Sequence, residues 1–291
     1  MGTKKIKKSI YDGCCMVLTT KHAKSIAVAP PFLETLGATV LEYVFDTDLL
    51  GTFSGEIERK EDSLGCARKK CELAFGGFNE EVKFSIASEG SFGAHPLMPF
   101  FSSDYEILYF IDKKNDFHLH VSGVTEKTNY KMQKVFHFDE LKRFAEEALF
   151  PSHALILRPD DRSRKDIIFK GIDSIHFLEE AFQVCLKHSK ENSVFVETDM
   201  RAHYNPSRME FIGELSKKLS KRLLSLCPCC FAPGWGMVGQ ENGLRCRECD
   251  SKTDLLAVEI FGCVKCDYKE RKERSDGLRE ADPMYCIYCN P

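Results

Sequence analysis

The sequence of 291 residues contains no long apolar run and no large excess of charge of either sign. No stretch approaches the roughly 20 apolar residues that a membrane-spanning helix requires, and the basic start MGTKKI does not lead into an apolar leader segment. We therefore expect a cytoplasmic protein that does not act at a membrane. The net charge of -3, with 43% hydrophobic and 29% charged residues, is typical of a folded domain and does not indicate a nucleic-acid partner. Internal repeats and low-complexity linkers are also lacking.

Fourteen cysteines are present, and eight of them form four CxxC pairs near the C-terminus. A CxxC turn can present two thiolates to one ion, and tetrahedral zinc takes four ligands, so four turns predict two zinc sites. Sites closed by four cysteines have no open position for a substrate, and we expect both to be structural. The predicted ligands are Cys227, Cys230, Cys246, Cys249, Cys263, Cys266, Cys286 and Cys289.

The spacing does not determine which turns share an ion. Consecutive pairing, crossed pairing (first with third, second with fourth) and nested pairing are all possible, and Cys229 could replace a neighbouring ligand. Thioredoxin-type redox chemistry is a weaker alternative, because it needs one CxxC near a βαβ unit. The segment from Cys227 to Pro291 has nine Lys or Arg and eleven Asp or Glu. Two ions bound by eight thiolates make it more acidic still, which disfavours nucleic acid and favours docking of a protein.

Strand-like and helix-like segments alternate through the first 226 residues, which predicts an α/β fold with a mixed sheet flanked by helices. We expect a basic N-terminal arm at 1–12, an α/β domain at 13–226 and a two-zinc ribbon module at 227–291. The expected strands are 14–20, 38–45, 84–87, 107–111, 117–121, 154–157, 194–197 and 255–261. The expected helices are 24–36, 62–75, 141–149, 178–185 and 206–223, the last with an Asn-Pro start.

Polar residues gather where several predicted strands end, and ligands of α/β sheets bind beyond the carboxyl ends of strands. Thr20, Lys21 and Lys24 follow the first strand, where hydroxyl, helix N–H and ammonium groups could hold phosphate. The alternative is a helix cap with solvated lysines. Glu56 lies in a glycine-containing loop and could bind a cation, although turn chemistry explains it equally well. Glu89 ends a predicted strand before a glycine, and we favour a metal ligand there.

The segment 197–208 concentrates charged residues after a predicted strand. Its arginines could clamp an anion through paired hydrogen bonds. An internal ion-pair network with a helix cap is the alternative. The candidate residues of this segment are Asp199, Arg201, His203 and Arg208.

Several motifs resemble one family of uncharacterised bacterial proteins that carry a domain of unknown function. The motifs are FDTDLLGTFSGEIER, ASEGSFGAHP, ILRPD, ETDMRAHYNPSRM and the CxxC turns that end in YCIYCNP. The resemblance covers nearly the whole chain, and it implies no particular reaction.

A more distant likeness, over residues 14–112, is to the inosine/xanthosine triphosphatase families. The similar features are Thr20 to Lys24, then Glu61, Ser63, Ala67 and Lys70, then Ser88-Glu89-Gly90. The likeness implies that the N-terminal loop holds a triphosphate and that acids at the later strand end carry magnesium. Lys21-His22 stands where those families usually have Asn.

These observations favour a divalent-cation-dependent hydrolase that acts on a nucleotide or another phosphorylated metabolite. Mg²⁺ would be held by Glu89 and Glu56, and Asp199 would help to activate water. The residues expected to bind substrate are Thr20, Lys21, Lys24, Arg201, His203 and Arg208. The alternative is a non-catalytic protein that senses a ligand or binds a partner and whose zinc module docks a macromolecule. A nucleic-acid-binding protein is a third, weaker alternative.

Overall fold

The structure, a computed structural model, describes residues 9–77 and 81–291. It contains two compact units, of which the first ends at Leu219 and the second is Ser220–Pro291. The first eight residues of the expected basic arm lie outside the described residues. The α/β class with a mixed sheet is confirmed. Within the described residues, no helix is long and apolar enough to cross a membrane.

A five-stranded mixed sheet forms the first part of the first unit, in the order β2-β1-β3-β4-β5. Strand β1 runs parallel to both of its neighbours, β2 and β3, whereas β4 runs antiparallel to both β3 and β5. The strands are β1 (Cys15–Thr20), β2 (Thr39–Val44), β3 (Phe84–Ala94), β4 (Ser102–Asp112) and β5 (Phe117–Thr125). Helices α1 (Ser25–Leu36) and α2 (Ser63–Ala74) connect the parallel strands, as a parallel crossover requires.

A four-stranded antiparallel sheet forms the second part of this unit, in the order β6-β9-β7-β8. The strands are β6 (Met132–Val135), β7 (Leu155–Pro159), β8 (Phe169–Ile172) and β9 (Val194–Thr198). Helices α3 (Phe138–Glu147) and α4 (Ile175–Lys187) bury their apolar stripes against it, through residues such as Phe144 and Phe182. Burial of these stripes supplies the hydrophobic free energy that holds the layer together.

Helix α5 (Pro206–Leu224) follows β9 and begins as the Asn-Pro sequence predicts. The side-chain oxygen of Asn205 accepts a hydrogen bond from the backbone N–H of Arg208 at 3.1 Å, which caps the first turn. This cap fixes the direction in which the start of α5 presents Arg208.

The second unit contains a three-stranded antiparallel sheet in the order β10-β11-β12. The strands are β10 (Gly236–Asn242), β11 (Leu256–Gly262) and β12 (Lys269–Glu273), and β11 confirms the strand expected at 255–261. The CxxC pairs lie outside these strands. The sheet therefore carries the turns that hold the cysteines.

Candidate functional site

The eight predicted cysteine ligands form two separate clusters of four in the second unit. One contains Cys227, Cys230, Cys263 and Cys266, and the other contains Cys246, Cys249, Cys286 and Cys289. In each cluster the four sulfur atoms lie within 4.8 Å of one another. The pairing is therefore crossed, first turn with third and second with fourth, which the spacing had left open.

Sulfur–sulfur distances fit tetrahedral metal binding better than disulfide bonds. Cys227 and Cys266 are 3.8 Å apart at Sγ, and Cys249 and Cys286 are 3.5 Å apart. A zinc ion with sulfurs at about 2.3 Å gives tetrahedral edges of about 3.8 Å, whereas a disulfide bond is about 2.05 Å long. The clusters are thus compatible with two structural zinc ions.

Backbone N–H groups also point at the sulfur atoms. Lys265 and Cys266 donate to the Sγ of Cys263 at 3.2 and 3.4 Å, and Cys229 donates to the Sγ of Cys227 at 3.4 Å. Such bonds stabilise the thiolate form that binds metal. The thiol of Cys229 is exposed and belongs to neither cluster, so Cys229 does not replace a ligand.

In the first unit, the candidate residues Glu89 and Lys24 lie on opposite faces of strand β3. Side chains alternate along a strand. Glu89 faces α2, where it contacts Lys70, whereas Ser88 contacts Lys24, which precedes α1. Glu89 and Lys24 therefore flank the same strand without sharing a hydrogen bond.

Glu89 is buried and fully paired. Its two oxygens accept from Arg59 and from Lys70, each at 2.5 Å, and Arg59 also donates to the carbonyl of Gly90 at 2.7 Å. Burial by itself would raise the pKa of Glu89, but Lys70 and Arg59 outweigh it and hold the pKa below its usual value. Glu89 is an ionised carboxylate with both oxygens occupied.

Lys24 is also buried, and its ammonium donates to the Oγ of Ser88 at 2.7 Å. Burial, followed by the positive charge of Arg208, lowers the pKa of Lys24 to about 7. Lys24 contacts Ser88, and the Cβ position of Gly90, two residues further along the same face of β3, lies 2.7 Å from Arg208 Nη2. The structure thus brings Lys24 and Arg208 close together, although they are far apart in the sequence. Two like charges buried together favour an anion between them.

Arg208 enters the same site from the first turn of α5. Its Nε donates to Glu106 Oε1 at 2.5 Å, and its Nη1 donates to the carbonyl of Met200. Gly90 makes room for this pair, because a Cβ there would overlap Glu106 Oε1 and lie 2.7 Å from Arg208 Nη2. A glycine is required here for close approach rather than for a turn.

Three buried atoms of this site make no hydrogen bond within the described part of the chain. They are Arg208 Nη2, Glu106 Oε2 and Asp104 Oδ1. Their residues are at most 1% exposed. Unpaired buried polar atoms are rare in folded proteins and often mark a place that a ligand, ion or water completes.

Asp104 has an unusual proton affinity for a carboxyl group. Burial, followed by the charge of Glu106, raises the pKa of Asp104 to about 8. Glu106 is instead paired with Arg208, so the two neighbouring carboxyl groups have different environments. Opposed environments of this kind are typical of functional sites.

The other residues expected after β1 have local partners. Lys21 is exposed and binds Asp46 and Asp48, each at 2.8 Å. Thr20 accepts from the backbone N–H of His22 at 3.1 Å. The start of α1 is also occupied, because Glu42 accepts from the N–H of Ser25 at 3.2 Å. The helix N–H group of Ser25 therefore already has an acceptor, and phosphate binding by this loop stays a prediction.

Glu56 does not join Glu89. It accepts from Ser54 at 2.7 Å and binds Lys170. Within the described ranges, only the two cysteine clusters bring together three or more potential metal-binding side chains. Glu89 and Glu56 thus pair with different basic side chains, and their joint binding of Mg²⁺ stays a prediction.

Asp199 and Arg201 bind each other. Arg201 Nη2 lies 2.5 Å from Asp199 Oδ2, which also accepts from the N–H of Gly171 at 3.0 Å. This is the ion-pair network that we considered as the alternative. His203 stacks on His22 with ring centroids 5.0 Å apart, and burial lowers the pKa of His22 to about 2, so this ring is neutral.

A cavity of about 230 Å³ adjoins this region. It is lined by Arg59, which contacts Glu89, and by Met200, whose carbonyl accepts from Arg208. Its aromatic wall consists of Phe53, Phe92 and Tyr130, and the rings of Phe92 and Tyr130 stack at 5.8 Å. Aromatic walls of this kind suit a flat ring.

The chain belongs to the family described as "Domain of unknown function (DUF6671)", which matches residues 70–291. This match confirms the resemblance to an uncharacterised domain family. No curated protein and no solved structure gave a significant match. The likeness to inosine/xanthosine triphosphatases stays a prediction.

Proposed function

We propose that the first unit binds a nucleotide or another phosphorylated metabolite and hydrolyses it with the help of a divalent cation. The observation that carries this proposal is the buried pair of Lys24 and Arg208. Arg208 Nη2 has no acceptor within the described residues. A phosphate oxygen would supply the acceptor and offset the repulsion between the two cations.

The balance of charge around the site supports an anionic ligand. On one face of β3, Arg59 and Lys70 pair with the ionised carboxylate of Glu89. On the other face, Arg208 pairs with Glu106, and the ammonium of Lys24 contacts the hydroxyl and the carbonyl of Ser88. The carboxyl group of Asp104, with a pKa raised to about 8, adds little negative charge near neutral pH. Phosphate is the common metabolite group that carries the charge and acceptor oxygens this arrangement needs.

The adjoining cavity favours a ligand with a flat ring. Phe53, Phe92 and Tyr130 form its aromatic lining, and Arg59 lies between the cavity and Glu89. A phosphate held at Lys24 and Arg208 would direct the remainder of a nucleotide toward this cavity. This is why we favour a nucleotide over a small phosphorylated sugar.

A substitution of Lys24 tests the proposal. Lys24→Met keeps the length of the side chain and removes its charge, and we expect it to abolish stabilisation by nucleoside triphosphates. A ligand at 100 times its Kd should stabilise the natural protein by about 2.7 kcal/mol. Thermal unfolding of the zinc-loaded full chain, with and without each nucleotide and Mg²⁺, measures the effect.

Lys69→Met is the matched control, because Lys69 is half exposed and paired with Glu61. It should leave the nucleotide effect unchanged. A nucleotide-dependent shift that survives in Lys24→Met, or no shift in the natural protein with any nucleotide, would contradict the proposal.

A non-catalytic, ligand-sensing protein is the second candidate. Both oxygens of Glu89 are occupied by cations, and Asp199 is held by Arg201, so neither is placed to activate water. A measurement of nucleotide binding combined with a sensitive assay of phosphate release distinguishes the two. Binding with no phosphate release would establish this second candidate.

A docking role for the zinc module is proposed on separate grounds. Four apolar or aromatic side chains are more than half exposed around the last CxxC turn: Met284, Tyr285, Ile287 and Tyr288. Exposed apolar groups in a folded unit often mark an interaction surface. The acidity of this segment favours a basic protein surface over nucleic acid.

A further inference from the structure

Asp104 and Glu106 lie two residues apart in β4, and both side chains project from the same face of that strand. This is the face on which Glu106 meets Arg208. Both residues are almost fully buried. Neither was singled out in the sequence, because they lie inside a strand rather than after one.

Each of these carboxyl groups has an oxygen without a donor in the described part of the chain, namely Asp104 Oδ1 and Glu106 Oε2. A buried polar atom left without a partner costs about 1–3 kcal/mol. The Nε of Arg208 donates a hydrogen bond to only one oxygen of Glu106, Oε1. Within the described residues, these two buried oxygens lie beside Arg208 without a hydrogen-bond donor of their own. The proton that the raised pKa keeps on Asp104 near neutral pH would be released when a cation binds.

A divalent cation matches this arrangement. Hard cations prefer oxygen ligands, and Mg²⁺ is commonly held by one or two carboxylates, with waters and substrate phosphates filling the other positions. Two protein carboxylates are therefore enough, and a third is not needed. Arg208 Nη2, which has no acceptor within the described residues, lies in the same cluster.

The sequence had pointed to Glu89 and Glu56 instead. Both oxygens of Glu89 accept from cationic side chains, and Glu56 is paired with Lys170 and Ser54. A cation would have to displace these partners before it could bind there. At Asp104 Oδ1 and Glu106 Oε2 a cation displaces no hydrogen bond within the described residues.

We propose that Asp104 and Glu106 bind a divalent cation through these two oxygens, and that the phosphate of a ligand at Lys24 and Arg208 completes the coordination. The second part rests on the proposed function. The first part is a property of the protein alone and can be tested without any nucleotide.

The first part is tested by adding Mn²⁺ alone to the zinc-loaded full chain. The electron paramagnetic resonance signal of free Mn²⁺ measures how much is bound. Asp104→Asn has nearly the same shape as the natural side chain and breaks no hydrogen bond of Asp104 Oδ1. We expect it to raise the Kd for Mn²⁺ by about tenfold or more. Glu89→Gln, the matched control, should change the Kd by less than about threefold.

Glu106→Gln is the second variant, and it should weaken Mn²⁺ binding as Asp104→Asn does. Thermal unfolding of each variant without metal shows whether it is folded. Absence of Mn²⁺ binding to the natural protein would overturn the inference. Unchanged binding in a folded Asp104→Asn variant, or loss of binding only in Glu89→Gln, would also overturn it.

A failure of the proposed phosphate site gives a different result from a failure of the cation site. Tripolyphosphate, added without metal, should raise the unfolding temperature through Lys24 and Arg208. If Mn²⁺ binds as predicted and tripolyphosphate has no effect, the cation site stands and the phosphate site does not.

Discussion

At the scale of single residues, the site depends on a close approach across the strand pair β3 and β4. Gly90 leaves the space in which Glu106 and Arg208 meet. The sequence indicated Glu89 and Arg208 as functional residues. It did not indicate Glu106, because Glu106 lies inside a strand rather than after one, where ligands of α/β sheets bind.

Gly90→Ala should therefore destabilise the protein. The new Cβ would overlap Glu106 Oε1, and forcing a methyl group into such a space costs about 1–3 kcal/mol. Urea unfolding measures the loss. Gly93→Ala in the same strand is the control, since nothing lies within 4 Å of its Cβ position. Equal stability of the two variants would show that the close approach is not required.

Lys24 should make stability depend on pH. Its pKa is about 7 in the folded protein and near its ordinary value of 10.5 when unfolded, so the unfolded chain holds more protons between these values. Stability should therefore rise with pH from about 7 upward in the natural protein, relative to Lys24→Met. Denaturant unfolding from pH 6 to about 9 measures the difference. Parallel curves for the two proteins would contradict the assignment.

At the scale of helices and strands, periodicity predicted the elements with strong patterns. The first two strands, the helices α1, α2 and α5, and the ribbon strand β11 lie where the sequence placed them, within a few residues. Four strands, β6, β8, β10 and β12, were missed, because short or strongly polar segments such as MQKV, FKGI and KERKE carry almost no apolar pattern. Strand β3 extends to Ala94, well past its apolar start, since pairing with β4 continues through its polar end.

The cysteine spacing predicted the zinc ligands but could not predict their pairing. Pairing depends on how β10, β11 and β12 bring distant turns together, and this is a tertiary property. The same limit applies to Lys24 and Arg208, whose proximity requires the whole first unit.

Paired cysteine substitutions test the crossed arrangement. Cys227→Ser with Cys263→Ser removes ligands from one cluster, so the protein should keep one zinc ion. Cys227→Ser with Cys246→Ser damages both clusters and should leave no fully bound ion. Zinc per chain, measured by elemental analysis, decides between the arrangements. Consecutive pairing predicts the opposite result, and nested pairing predicts loss of both ions in both variants.

At the scale of the whole molecule, the chain combines an α/β unit that carries a charged, partly buried site with a unit organised around metal. Binding of structural zinc contributes on the order of 10 kcal/mol or more per site in small zinc domains. The second unit therefore needs little hydrophobic core of its own. The expected boundary between domains at residues 226 and 227, and the cytoplasmic location, stay predictions.

The most direct test of the account is a crystal structure of the zinc-loaded protein with Mn²⁺ and tripolyphosphate, with the metal located by anomalous scattering. The account predicts one manganese ion at Asp104 Oδ1 and Glu106 Oε2, with a phosphate group bound by Arg208 Nη2 and Lys24. Manganese at Glu89 or Glu56, or phosphate bound away from Lys24 and Arg208, would contradict it.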